Sequence, residues 1–452
     1  MKDEAVMFDP EFRVEESNRR GRPRGVAFIW AGVLMSPSPI IVGVISAGGN
    51  KGPGFLIAMS GLMLGYVLGA SAVAWLSVWG MRTGMSQMAL GWLAFGKANV
   101  IPQIMLIVSL ILYVCLNDLL GVSAITSALG IPFLLGLVFI VAIELIIDIF
   151  GIRIMRIISI VVALSMSIVV LFLLIGAIGQ MPPTVMFDSD GVFPYGKFIT
   201  AVALGLSNAF AWVIQAADIS RELPVNTNPR KLFAYVFGAM FIPLTILAGI
   251  GAWISSASAI DNPMGRIFEV LGGGFWATLA LAAMAAALAI ENSFNDLSTS
   301  ITTRQWGLRV PARIVAIILA FLGCSLALLL RNSPLVDVAI DISLFAGYFS
   351  APWFGILAIE LIRRRLQREP WRFPKPQAWP AAAAFSIAYV VMFTFSTSPL
   401  SEMLAMDSIF LEPLGAISRY ALRMGDFGYE AGVVMSAVLY LVFTRIAKRR
   451  SA

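Results

Sequence analysis

Long apolar runs follow one another along this chain, separated by short stretches rich in charge, glycine and proline. Twelve runs lie near residues 25–47, 54–78, 101–121, 131–149, 157–179, 198–217, 232–256, 270–291, 311–330, 335–361, 379–397 and 429–446. Most hold close to the ~20 apolar residues that a helix needs to cross a hydrocarbon layer of about 30 Å. The pattern predicts an all-α integral membrane protein of about twelve transmembrane helices. Two runs are interrupted at their middles. In the first, Ser36-Pro37-Ser38-Pro39 separates GVAFIWAGVLM from IIVGVISAGG. Each proline removes a backbone donor and pushes the residue before it out of the helical region. A break at mid-membrane is tolerated where the backbone packs against protein or lines a polar cavity, and transporters build substrate and ion sites this way. A proline kink held by neighbouring helices is the plainer alternative. In the sixth run, KFITAVALGLSNAFAWVIQAADISRELP, Gly205, Ser207 and Asn208 sit at the centre. Gly relaxes helical preference, and Ser and Asn compete for backbone hydrogen bonds, so a second break is expected there. Breaks in spans one and six, five apart, are the spacing of a five-plus-five inverted repeat, although no repeat is visible in the letters themselves.

Composition agrees with a membrane protein. The chain of 452 residues is 59% hydrophobic and 13% charged, against roughly a quarter charged in an ordinary soluble domain. With both termini in the cytoplasm, most of the 32 Lys and Arg fall on inside segments, notably LIRRRLQREPWRFPKP and TRIAKRR. The positive-inside rule selects that orientation, in a cell inner (plasma) membrane. The outside loop from Ser398 to Gly428 carries Glu402, Asp407, Glu412 and Asp426. The basic pI therefore reports topology, not nucleic-acid binding. The charged start runs straight into a full-length span, so no cleavable signal is expected. One transporter domain, 25–447, flanked by cytoplasmic tails 1–24 and 448–452, accounts for the sequence. Two cysteines, Cys115 and Cys324, lie in separate spans and read as small apolar fillers. The chain has no histidine, which excludes a His-relayed proton path, a Ser-His or Cys-His nucleophile and the usual zinc chemistry. No catalytic constellation is left, so an enzyme is not expected.

Polar groups at membrane depth are costly unless they face a partner or a cavity, which makes each a functional candidate. In the third span Tyr113 and Asn117 stand at i and i+4, on one face. A ring to stack on and an amide with donors and an acceptor suit a flat heterocycle; an amide bonded to a neighbouring helix is the alternative. In the sixth span Asn208, Trp212 and Gln215 share a face, with Trp212 either closing over a ring or simply packed. The eighth span carries Glu291, Asn292, Ser293, Asn295 and Asp296 within six residues. That density is hard to explain by packing, the competing view being an exposed cytoplasmic helix end. Glu144 and Asp148, and likewise Asp337 and Asp341, read as solvated or salt-bridged helix ends, and Glu360 as an ion-pair partner of Arg363-Arg364-Arg365.

Five ordered segments resemble the nucleobase:cation symporters of the purine/cytosine permease type. They are GMRTGMSQMALGWLAFG (80–96), LYVCLNDLLG (112–121), AADISRELP (216–224), FNDLSTSI (294–301) and FAGYFSAPWFGILAIELIRRR (345–365). Each is weak alone; their order from the second span to the tenth makes the set specific. The resemblance implies a five-plus-five transporter with two extra C-terminal helices, working by alternating access. It places a planar base between spans one, three, six and eight. Tyr113 would stack on the base, standing where the family has Trp, and Asn117 would read its edge. Ser207, Asn208, Phe210 and Trp212, with Asn292, Asn295 and Asp296, would complete the pocket. Asp218 and Arg221 match the D-x-S-R segment that closes the sixth span, read as a helix-end ion pair or gate.

The departures bear on coupling. Sodium-coupled members place small hydroxyl residues near Ile290 and Glu291, and none stands there in this chain. Ser36, Ser38 and neighbouring carbonyls offer part of a cation site, and Glu291 offers a carboxylate that carries a proton. The coupling ion is H+ or Na+, no other cofactor is expected, and the partners are a small-molecule substrate and membrane lipid. The expected activity is cation-coupled import of cytosine, a purine or a related planar heterocycle. An amine, amino-acid or vitamin carrier on the same fold is the nearest alternative, and an ion channel a more distant one.

Overall fold

The computed structural model describes residues 13–48, 52–150, 152–178, 193–256, 260–308, 310–367, 378–397 and 415–451. Glu402, Asp407, Glu412, the end of the basic loop after Gln367 and residues 1–12 of the expected N-terminal tail lie outside the described residues. The described part is helical, with no strand longer than a single bridge between Arg13 and Met85.

The helices are α1 (Pro23–Leu34), α2 (Ser38–Ala47), α3 (Gly54–Thr83), α4 (Gln87–Phe95), α5 (Val100–Leu129), α6 (Phe133–Phe150) and α7 (Ile152–Ile178). They continue as α8 (Tyr195–Phe210), α9 (Ala216–Ser220), α10 (Pro229–Ser255), α11 (Pro263–Val270), α12 (Gly274–Arg304) and α13 (Ala312–Leu330). The last are α14 (Leu335–Tyr348), α15 (Ala351–Gln367), α16 (Trp379–Met392), α17 (Ala416–Tyr420) and α18 (Gly428–Ser451). Among the described residues, nine helical stretches are long and apolar enough to cross a membrane, and ten when α1 and α2 count as one bent span. The expectation was twelve. The fourth and eleventh places are filled by α6, of 18 residues, and by α16, a shorter apolar helix.

The first span is broken where the prolines require it. The axes of α1 and α2 meet at 56°, Pro37 and Pro39 fall at the start of α2, and Ser36 is buried in the joint. The sixth span is interrupted later than its composition suggests. α8 runs unbroken through Gly205, Ser207 and Asn208 and ends at Phe210, followed by a 3-10 turn at Val213–Gln215 and then α9. Two side-chain facts explain the shift. Gly205 is used for packing, since a Cβ there would lie 2.6 Å from the Leu62 carbonyl of α3. Ser207 sends its hydroxyl to the Ser343 carbonyl of α14 instead of competing for its own helix.

Close backbone approach organises the bundle, as expected where lipid supplies no hydrophobic drive between helices. α3 and α8 pack through Gly65, where a Cβ would meet the Val202 carbonyl at 2.3 Å. α2 and α10 interlock through two glycines: a Cβ on Gly43 would sit 2.0 Å from the Ala248 carbonyl, and one on Gly251 1.9 Å from the Ile40 carbonyl. Thus spans one, two, six and seven form one group. α5, α6, α12 and α13, the third, fourth, eighth and ninth, form a second. α7 turns a stripe of large apolar side chains outward, among them Ile160, Leu164, Ile168 and Phe172.

Candidate functional site

A cavity of about 50 Å³ lies where the broken spans meet the second group. Its apolar wall includes Leu34, Pro39, Ile41 and Val42 from the first span and Leu116 and Leu120 from α5. Its polar lining is Ser38, Tyr113, Asn117, Ser207, Asn208, Glu291, Asn295 and Ser343, with Trp212 beside them. Helical spacing delivers most of these: Tyr113 and Asn117 one turn apart on α5, Ser207 and Asn208 near the end of α8, Glu291 and Asn295 one turn apart on α12. The break after Phe210 carries Trp212 to the cavity, where its ring meets Trp30 of α1 edge-on at 5.8 Å.

One polar atom of this lining, Asn208 Oδ1, has no hydrogen-bond partner within the protein, and the Tyr113 hydroxyl has only Ser207 beside it. The others are held in place. Gln215 Nε2 donates to Asn295 Oδ1 at 3.0 Å. The hydroxyls of Ser36 and Ser38 both donate to Glu291, one to each carboxylate oxygen, the second at 3.1 Å. This ties the joint of the broken first span to the middle of α12. Asn117 Nδ2 donates to Asn292 Oδ1 at 2.9 Å, so the plain bonding role and the cavity-lining role belong to the same amide.

Several expected members lie elsewhere. Phe210 packs edge-on against Phe354, ring centroids 5.0 Å apart, and does not line the cavity. Asn292 and Asp296 point from the opposite side of α12 towards α5 and α6, because on a helix they stand about 100° from Glu291 and Asn295. Asn292 Nδ2 donates to Glu144 Oε2 at 2.8 Å and to Asp118 Oδ1 at 3.2 Å. Glu144 is therefore not a solvated helix end: it is fully buried, with Asp118 and Asp296. The polar stretch of α12 is likewise no exposed end, since Glu291, Asn292, Ser293, Asn295 and Asp296 are all buried. Asp218 and Arg221 stand apart from the cavity. Asp218 accepts from the Gln87 N–H at 2.7 Å and from the Ser298 hydroxyl at 3.3 Å, while Gln87 Oε1 accepts from the Ala217 N–H at 2.9 Å. These bonds join α4 to α9 and α9 to α12, and the Arg221 charge acts on Asp218. Glu360 pairs with Arg363 and Arg364 at 2.8 and 2.6 Å.

Residue patterns missed three contributors. Ser343 lines the cavity from α14. Tyr429, at the start of α18, places its hydroxyl 2.6 Å from Ser207 Oγ and 2.9 Å from the Leu344 carbonyl. Asp426, just before α18, is buried among donors from Tyr348, Thr397 and Gly428; burial nonetheless pushes its carboxyl above the usual range. No local period marks any of the three, since each is brought in by a distant segment.

Residues 13–369 match the family model described as permease for cytosine/purines, uracil, thiamine, allantoin. The chain belongs to this permease family. It is accordingly a multi-pass membrane transporter and not an enzyme. A curated relative, the putative purine-cytosine permease YxlA of Bacillus subtilis (strain 168), is 21% identical over 454 aligned positions, covering 96% of each chain. The permease fold is shared with Mhp1, a nucleobase-cation-symport-1 family transporter. The closed form with bromovinylhydantoin bound aligns at a TM-score of 0.72 with 17% identity, covering 98% of this chain and 96% of that one. The inward-facing form also aligns at 0.72, with 18% identity and coverage of 98% and 94%. A Na+-coupled sialic acid symporter in an outward-open state aligns at 0.56 with 14% identity, covering 94% and 96%.

Proposed function

We propose that this permease imports a nucleobase such as cytosine or a purine, or a related planar heterocycle, coupled to H+ or Na+ by alternating access. The observation that carries the reading is the unpartnered Asn208 Oδ1, lining a cavity shared with Tyr113, Trp212 and Asn117. Aromatic faces supply stacking area at low entropy cost, and buried polar atoms left open discriminate strongly in favour of a ligand that fills them. The names of the family model and of the Bacillus relative fit the same substrate class.

Glu291 is the proposed coupling carboxylate. It bridges the break of span one through Ser36 and Ser38 and also lines the cavity, so its charge state and the geometry of the break are linked. An ion taken up there alters the hold of α12 on the first span, which is the differential interaction that a coupled carrier needs.

The test is uptake of labelled cytosine, adenine, hypoxanthine, uracil and allantoin into cells lacking their own permeases. One of them accumulating above the empty-vector level, and failing to do so in Asn117→Ala, is the expected result. Uptake of none would overturn the heterocycle assignment. Replacing external Na+ with choline, and separately adding a protonophore, distinguishes the two coupling ions.

A further inference from the structure

Behind the cavity, three helices bring four carboxylates together inside the membrane domain: Asp118 of α5, Glu144 and Asp148 of α6, and Asp296 of α12. Glu144, Asp148 and Asp296 each offer an oxygen that lies within 4.8 Å of the other two. The charges acting on Glu144 and Asp296 are those of the other carboxylates in the group. Among the described residues no Lys or Arg ion pair involves any of the four. A buried anion without a compensating charge is among the most expensive features a fold can carry, and three or four adjacent ones cannot all stand ionised alone.

The unfilled oxygens point to what balances them. Neither oxygen of Asp296 meets a donor from outside the acidic group, its hydrogen-bonding neighbour being Asp148 itself, although the residue is only 3% exposed. Glu144 Oε1 and Asp148 Oδ2 are open in the same way. Asp118, outside the trio and fully buried, leaves its Oδ2 open while its Oδ1 shares the Asn292 amide with Glu144, so its side chain faces the same group. Oxygens around a hard cation, each 2.3–2.6 Å from it, lie no more than about 5 Å apart. We propose that Glu144, Asp148 and Asp296, with Asp118 close by, form a metal-cation site separate from the substrate cavity, taking a hard, oxygen-ligated ion: Na+ or a divalent cation. This rests on the transporter reading only for its consequence. Asn292 holds Asp118 and Glu144 with its amide nitrogen and accepts from the cavity residue Asn117 with its amide oxygen. Occupancy of the ion site is thereby transmitted to the amide that reads the substrate.

The experiment needs no substrate. The full-length protein, purified in detergent and stripped with a chelator, is melted in choline buffer with Na+, Mg2+, Ca2+ or Mn2+ added singly. Binding to the folded state alone raises Tm in proportion to the logarithm of ion concentration once the site is near saturation. The expected result is a saturable rise with one ion class, lost in Asp296→Asn and in Asp148→Asn, and kept in Glu269→Gln on the exposed face of α11. Asp148 is half-buried at the edge of the group, so its variant serves if Asp296→Asn folds poorly. A rise with Na+ alone identifies the monovalent source, and a rise with a divalent ion the other. A rise that survives both Asn variants puts the ion elsewhere and overturns the site. No rise with any ion overturns it too, leaving protons alone to neutralise the group. Neither failure touches the heterocycle assignment, which stands or falls on uptake.

Discussion

Asn117 carries two duties. It lines the space and donates to Asn292, so removing it takes away the proposed substrate contact and strips the Asn292 oxygen of its donor. A buried polar group left unsatisfied costs about 1–3 kcal/mol, which corresponds to roughly 5- to 150-fold in affinity. Asn117→Ala is therefore expected to weaken substrate binding by that range, read from the concentration dependence of uptake. Glu291→Gln keeps a hydrogen-bonding side chain but removes the charge. Gradient-driven accumulation should disappear while substrate exchange across the membrane persists, and loss of both would count against a coupling role. Asp426 supplies a pH signature outside the spans. Because burial raises its carboxyl in the folded state, the stability it contributes is complete at pH below the ordinary carboxylate value and is lost as pH rises through the raised one. Melting temperature of the wild type should carry that downward component, and Asp426→Asn should flatten it. Much of the cavity was readable from residue spacing: Tyr113 with Asn117 and Glu291 with Asn295 follow from the helical period alone. The same period kept Asp118 and Asp296 illegible. Each sits about 100° from a cavity residue, and what they face depends on which helix lies behind.

Helix breaks show how far composition reaches at the level of elements. Ser-Pro-Ser-Pro located the first one because proline acts on its own backbone, whatever the surroundings. Glycine, serine and asparagine in the sixth span only permit a break, and here Gly205 and Ser207 are spent on contacts with α3 and α14 instead. The pairing of α2 with α10 was equally hidden, since a glycine shows that close approach is possible without naming the partner. Gly251→Val tests that contact. Its Cβ would stand 1.9 Å from the Ile40 carbonyl, backbone that cannot yield like a side-chain tip. Overpacking of this kind costs about 1–3 kcal/mol or more, visible as a lowered melting temperature and a smaller monodisperse peak on size-exclusion chromatography.

For the molecule as a whole, the two helix groups meet at one seam; the cavity and the Glu291 bridge lie along it, and the acid group lies behind it, inside the second group. Glu291 reaches across from α12 to the break of span one, and Asn292 reaches back to α5 and α6. Any rocking of one group against the other must rearrange the Glu291 bonds, while those of Asn292 stay within the second group, so one helix, α12, connects the seam to the acid group. The hydrophobic runs made the membrane architecture plain from the start, because apolar length has few other uses. The fourth and eleventh runs form the shorter helices α6, of 18 residues, and α16.

The last helix has an unexpected stake in what is transported. The family match ends at residue 369, yet Tyr429 of α18 sets its hydroxyl against Ser207 and so steadies one wall of the cavity. Tyr429→Phe should lower substrate affinity a few-fold through loss of a bond worth about 1 kcal/mol, with little change in the pH or ion profile of uptake. A chimera that swaps only the matched region between two relatives would inherit a pocket whose far wall was tailored to another tail. If the cavity is the substrate site, as proposed, part of its support comes from a stretch of chain that the family match does not cover.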